Sequence, residues 1–243
     1  AAGLVFIPFL ISGKSFVYRV DGGSQYIVYL RYMGEYLRNA FSRLLNGSLT
    51  PVMYDFSIGM GDDINAIVRF HPLDFLSVFV PAEKTELLYH VILLLRYYLA
   101  GLAFCIFAMS WKKGHIGSAE SLPFEIAPVN VLSGAMLYVF SGYMLLRCMN
   151  HPTYVSAFII LPLLLLAAER VMEGRGLILF PAVCALGFIS NYYFMYICSI
   201  ALAIYMLLRM KDYLKEKGTG VRGFFGLFFR CVGLYLIGLG ISC

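Results

Sequence analysis

Asp21 is the residue best placed to do chemistry. It follows an apolar segment and opens a run in which tyrosines and leucines recur at helical spacing, V-D-G-G-S-Q-Y-I-V-Y-L-R-Y-M-G-E-Y-L-R-N-A-F-S-R-L-L over residues 20–45. A carboxylate at such a boundary can accept a proton from an attacking hydroxyl, and ionisable groups at a membrane edge are costly enough to be kept mainly for function. The alternative is a helix cap, a position Asp favours. Asp62 and Asp63 lie among glycines in G-M-G-D-D. They could hold a divalent cation through oxygens, or form a turn with an acid at a helix start. No other cofactor is indicated, and no dedicated metal site. Asp55 and Asp74 read as solvated loop acids.

Four further residues, Arg69, His71, Arg147 and His151, could meet a phosphate, arginine by matching its oxygens with a planar fork. The alternative for the long side chains is snorkelling to headgroups. Arg147 ends an apolar stretch. Gln25, Tyr26 and Asn191 could hydrogen-bond a hydroxylated ligand or hold helices together.

The elements that would position these groups belong to a membrane protein. The chain is 60% hydrophobic and 14% charged, against about 25% charged in soluble domains, with a mean hydropathy of +0.78. The fold class expected is all-α, a multi-pass transmembrane helical bundle in contact with lipid. The net charge of +5 does not point to nucleic acid, because the basic residues sit in short runs between apolar segments. The six cysteines show no metal-ligand spacing and read as packing residues.

Residues 3–12 are too short to span alone and read as the outer half of a first helix. Residues 13–84 form the first outer loop. Within it, residues 24–45 are expected as one amphipathic helix lying in the membrane interface, with Tyr29, Met33 and Leu37 buried. Residues 48–84 are irregular, with helix between Ile64 and Phe79 broken at Pro72; a long ordered loop is usually functional. Spans are expected at 85–110, 128–147 and 153–168. A short helical pair, 177–189 and 192–208, turns at Ser190-Asn191, and a further span begins at Gly223. Residues 85–243 thus hold the spans of a single transmembrane domain, expected to be cut at both ends and to form the N-terminal part of a longer protein.

Short-loop positive charge sets orientation. Lys112 and Lys113, then Arg170 and Arg175, then Arg209, Lys211, Lys215, Lys217 and Arg222 fall in alternate connections. These connections are expected inside, with Asp21 and the long loop outside.

The motifs, taken together, resemble the YfhO family of bacterial membrane proteins. They are D-G-G-S-Q-Y at 21–26, L-L-N-G at 44–47, G-M-G-D-D-I-N-A at 59–66, H-P-L-D-F-L at 71–76, F-V-P at 79–81, S-G-Y at 141–143, L-P-L-L-L-L-A-A-E-R at 161–170 and S-N-Y-Y at 190–193. Residues 150–156, N-H-P-T-Y-V-S, and the pair Arg69-Phe70 depart from the family pattern. The resemblance implies a GT-C-type glycosyltransferase: a helical membrane bundle with a catalytic acid in its first outer loop, here Asp21. Such an enzyme moves a sugar from a polyprenyl-phosphate carrier to a surface polymer such as lipoteichoic or wall teichoic acid, on the extracellular side of the bacterial cell membrane. Gln25, Tyr26, Arg69, His71, Arg147, His151 and Asn191 would then bind substrate. A transporter or flippase of a lipid-linked sugar and a non-catalytic scaffold are the alternatives. Acids confined to one face, with few charges mid-span, favour the enzyme over the transporter.

Overall fold

A computed structural model describes residues 2–48, 50, 52–58, 60–64, 71–115, 128–218 and 220–243. The protein is 81% helical, an all-α membrane bundle. Among the described residues, four helical stretches are long and apolar enough to cross a membrane: Ala82–Ser110, Pro152–Met172, Leu179–Lys211 and Val221–Ser242. The chain forms two compact units, residues 1–97 with 142–153, and residues 98–141 with 154–243.

The first unit holds α1 (Ala2–Ile11), a π-helical turn (Gly22–Tyr26) and α2 (Ile27–Leu45). Two-residue strands β1 (Tyr54–Asp55) and β2 (Asp62–Asp63) then pair antiparallel. Two 3-10 turns (Pro72–Phe79 and Ala82–Lys84) lead into α3 (Thr85–His115). The expected helix over 24–45 is present, extended at its start by the π turn. Its buried stripe is Leu30, Met33 and Gly34, with Tyr29 and Leu37 half-buried. That stripe is covered by protein, namely the Pro72–Phe79 turn. A Cβ on Gly34 would lie 2.6 Å from the Ser77 carbonyl oxygen, so only glycine admits this approach. Arg38 Nη1 donates to the carbonyls of Ser77, Val78 and Val80 at 2.9, 3.2 and 3.1 Å, satisfying the orphan acceptors at the end of the turn. The arm carrying β1 is pinned to α2 by two tyrosine hydroxyls, Tyr32 to Asp55 at 2.6 Å and Tyr36 to the Val52 carbonyl at 3.0 Å. The Tyr32 bond holds the Asp55 carboxyl below its usual range. Burial, reinforced by Asp55, pushes the Tyr32 hydroxyl up. Pro72 starts the 3-10 turn, a position that suits a residue without an N–H; the part of the expected helix that falls on residues 65–70 lies outside the described residues.

In the second unit, α4 (Pro128–Val139) stops well before Arg147. The single span expected over 128–147 is therefore corrected. The interruption is a turn at Phe140 and a bend at Ser141; helix resumes at Gly142, where the chain has passed back into the first unit, and becomes a π turn, Met144–Cys148. α5 (Val155–Met172) follows as expected. α6 (Leu179–Lys217) breaks at Asn191, whose backbone is extended (φ −168°, ψ 95°). There it folds back: Phe180, Val183 and Cys184 share one core with Met195, Leu202, Met206 and Met210. A Cβ on Gly187 would lie 2.5 Å from the Met195 sulfur. The expected helical pair is therefore real, with Asn191 Oδ1 accepting the Phe194 N–H at 3.2 Å to start its second arm. α7 (Val221–Ser242) packs on this hairpin.

The basic ends of these helices meet at one end of the second unit. Arg209 Nε donates to Glu169 at 2.7 Å, the Tyr205 hydroxyl bonds the same carboxylate, and the Phe107 ring lies 6.4 Å from the Tyr205 ring.

Candidate functional site

Two π turns bracket the site, both in the first unit. Such turns insert a residue into the helical ladder and occur often at functional positions. The first follows Asp21 directly, and the second ends at Cys148, two residues before Asn150 and three before His151. The carbonyl of Met144 in the second turn accepts from the buried Tyr97 hydroxyl at 2.6 Å, which fixes the turn.

Asp21 is not a side-chain cap: its carboxylate makes no bond to the helix N–H groups that follow. Oδ2 accepts from Asn150 Nδ2 at 3.1 Å and lies 3.4 Å from His151 Nε2. Oδ1 accepts only a long bond from Gln25 Nε2, at 3.3 Å. The side chains of Asp21 and His151 are 23% and 21% exposed, so the pair sits at an opening rather than in a sealed core. His151 Nδ1 meets the Tyr26 hydroxyl at 3.0 Å, and Nε2 also lies 3.1 Å from Asn150 Nδ2. Both imidazole nitrogens are thus engaged, whereas Oδ1 of Asp21 has lone-pair capacity for an incoming O–H.

Of the residues singled out in the sequence, the structure brings together Asp21, Gln25, Tyr26 and His151. Arg147 is exposed, one turn before His151. His71 is buried and serves as a cap, its Nδ1 accepting the Leu73 N–H at 3.3 Å. Burial, helped by the Arg96 charge, drives its pKa down to about 3, so it is neutral at physiological pH and no phosphate-binding cation. Asn191 belongs to the second unit, where it starts a helix. Arg69 lies outside the described residues. Asp62 and Asp63 are exposed in β2, and among the described residues no three His, Cys, Asp or Glu side chains group as metal ligands.

Asp74 departs from its reading as a solvated loop acid. It is buried, and Arg96 Nη2 donates to both its oxygens at 2.8 Å. Sequence reasoning passed over Arg96 and Asn150. The signal for Arg96 was present, a lone charge inside the apolar run L-L-L-R-Y-Y. Asn150 carried none, since nothing local ties it to a residue near the start of the chain.

A family model described as bacterial membrane protein YfhO matches residues 1–243. No curated protein and no solved structure matches the chain. With its helical membrane architecture and a match along its whole length, the chain belongs to the YfhO family of bacterial membrane proteins.

Proposed function

We propose that this protein is a membrane glycosyltransferase that moves a sugar from a polyprenyl-phosphate carrier to a hydroxyl of a cell-surface polymer, lipoteichoic or wall teichoic acid being the class of acceptor. Asp21 is the general base. The acceptor oxygen attacks the anomeric carbon and its proton passes to Asp21 Oδ1. The bond between that carbon and the phosphate oxygen breaks, and the polyprenyl phosphate departs. Asn150, His151 and Gln25 hold the carboxylate, and Tyr26 holds His151. Arg147, exposed on the segment that leads to His151, is the described cation best able to meet a departing phosphate.

The observation that carries this reading is the carboxylate itself. It is fixed by residues remote in sequence, it caps no helix, and one oxygen is left with a single long contact. Asp21→Asn keeps the shape and removes the basic charge. In membranes containing the full-length protein, transfer of labelled sugar from polyprenyl phosphate should fall by about 10²–10⁴-fold at matched abundance. Near-normal transfer would remove Asp21 from the chemistry.

A further inference from the structure

Beside the Asp21 cluster, and wholly within the first unit, lies a cleft of about 40 Å³ lined by Tyr26, Leu30, Asp74, Tyr89, Ile92 and Arg96 among others. It adjoins Asp21 through two neighbours. Tyr26 faces the cleft and bonds His151, and a Cβ on Gly22 would lie 3.3 Å from the Tyr89 hydroxyl. Two lining side chains are buried with polar atoms left over. Tyr89 is 4% exposed with an unbonded hydroxyl, and Arg96 is 3% exposed with an unbonded Nε–H. A buried donor without a partner is costly, so such groups beside a cleft point to a ligand that satisfies them.

The chemistry of that ligand follows from the charge balance. Arg96 is already neutralised by Asp74, so an anion would gain little. A hydroxyl both donates and accepts, and can meet the Tyr89 hydroxyl and the Arg96 N–H together. The walls, Leu30 and Ile92, suit the C–H face of a ring. The volume holds about three water-sized groups, enough for one edge of a pyranose. We infer that the cleft is a sugar-hydroxyl subsite in which Tyr89 and Arg96 hold one hexose ring beside Asp21. This inference rests on the glycosyltransferase reading and names how that site holds its sugar. The ring could belong to the carrier-linked donor or to a sugar on the acceptor.

The test is equilibrium binding to the detergent-solubilised full-length protein by saturation-transfer NMR. One set of probes is a short polyprenyl phosphate bearing glucose, galactose or N-acetylglucosamine. The other is the three corresponding methyl glycosides. Binding confined to the first set identifies the donor; binding of the methyl glycosides as well identifies a free or acceptor sugar. In either case Tyr89→Phe should weaken binding about tenfold. Its melting temperature should stay level or rise, because the lost hydroxyl bonds nothing within the protein. One monodeoxy version of the bound probe should lose affinity for the wild type but lose no more on Tyr89→Phe. Equal binding by Tyr89→Phe and wild type, a lowered melting temperature of Tyr89→Phe, or no wild-type binding of either set would overturn the subsite. Tight, Tyr89-dependent binding without any sugar transfer would leave the subsite standing and overturn the transferase.

Discussion

Asn150 donates its amide to Asp21 across 129 residues of chain, at 3.1 Å, while its own carbonyl oxygen is buried without a partner. The amide cannot turn over to relieve that carbonyl, because its oxygen would then face the carboxylate. The structure thus leaves one buried acceptor unsatisfied and orients Asp21 in return, an arrangement expected where geometry matters more than stability.

Asn150→Ala should therefore impair the reaction more than the fold. Removing a hydrogen bond to a charged group costs about 1.5–3 kcal/mol, or roughly 10–100-fold in sugar transfer if the bond acts in the transition state. Stability should change less, since the substitution also removes the orphaned carbonyl. Transfer assays and melting curves on the same preparation separate the two effects. A large loss of stability with a small loss of rate would make Asn150 a structural residue.

His71 makes the first unit acid-sensitive. Burial and the Arg96 charge depress its folded-state pKa to about 3, from 6.5. Above pH 6.5 both folded and unfolded chains hold it neutral, and its contribution does not vary. As pH falls below 6.5 the unfolded chain takes up a proton that the folded chain refuses until about pH 3, so stability is lost through that window. The slope is at most about 1.4 kcal/mol per pH unit. Unfolding midpoints of the wild type between pH 7 and 4 should drop more steeply than those of His71→Asn, in which the side chain can still accept the Leu73 N–H. Parallel curves would show that His71 does not control the acid limb.

The helices were legible in the sequence because their signals are local. The amphipathic run of α2, the apolar stretch of α3 and the turn at Ser190-Asn191 each follow from spacing and breaker residues. The site was legible in part. Asp21, Gln25, Tyr26 and His151 could be chosen by residue type and position near a boundary. Their assembly could not, because it depends on two π turns, each needing one extra residue in a helical ladder that no composition marks. Arg147 and His151 read alike as outer-face cations. The ladder then sends His151 to Asp21 and leaves Arg147 exposed.

Gly34 is where α2 meets the Pro72–Phe79 turn. The Cβ of Gly34→Ala would meet backbone, the Ser77 oxygen at 2.6 Å and its carbonyl carbon at 3.1 Å, so no rotamer change relieves it. The segments must move apart, straining the Arg38 bonds to residues 77–80. Overpacking of this kind costs about 1–3 kcal/mol. Hydrogen exchange of residues 72–80 should speed up in Gly34→Ala, with exchange in α7 unchanged. Wild-type exchange rates across residues 72–80 would mean that the contact yields without cost.

Lysines and arginines gather at the C-terminal ends of α3, α5 and α6 and just beyond the last two, and the positive-inside bias predicts that such basic ends face the cytoplasm. The fold-back at Asn191 matters here. Were α6 a single straight span, residues 170–175 and 209–222 would fall on opposite sides and the bias would conflict with itself. As a hairpin, it returns both to one side, and the Glu169–Arg209 contact joins those ends directly. Thr85 and Lys113 lie at opposite ends of α3, so the residues before Thr85, Asp21 among them, are expected outside. Single cysteines at positions 48 and 215, in a background lacking the native six, should answer differently to a membrane-impermeant thiol reagent applied to intact cells. Position 48 should label, and position 215 only after permeabilisation. Labelling of 215 but not 48 would invert the orientation and put Asp21 on the cytoplasmic side. Labelling of both in intact cells would mean that the Asn191 hairpin does not return residues 209–222 to the cytoplasmic side.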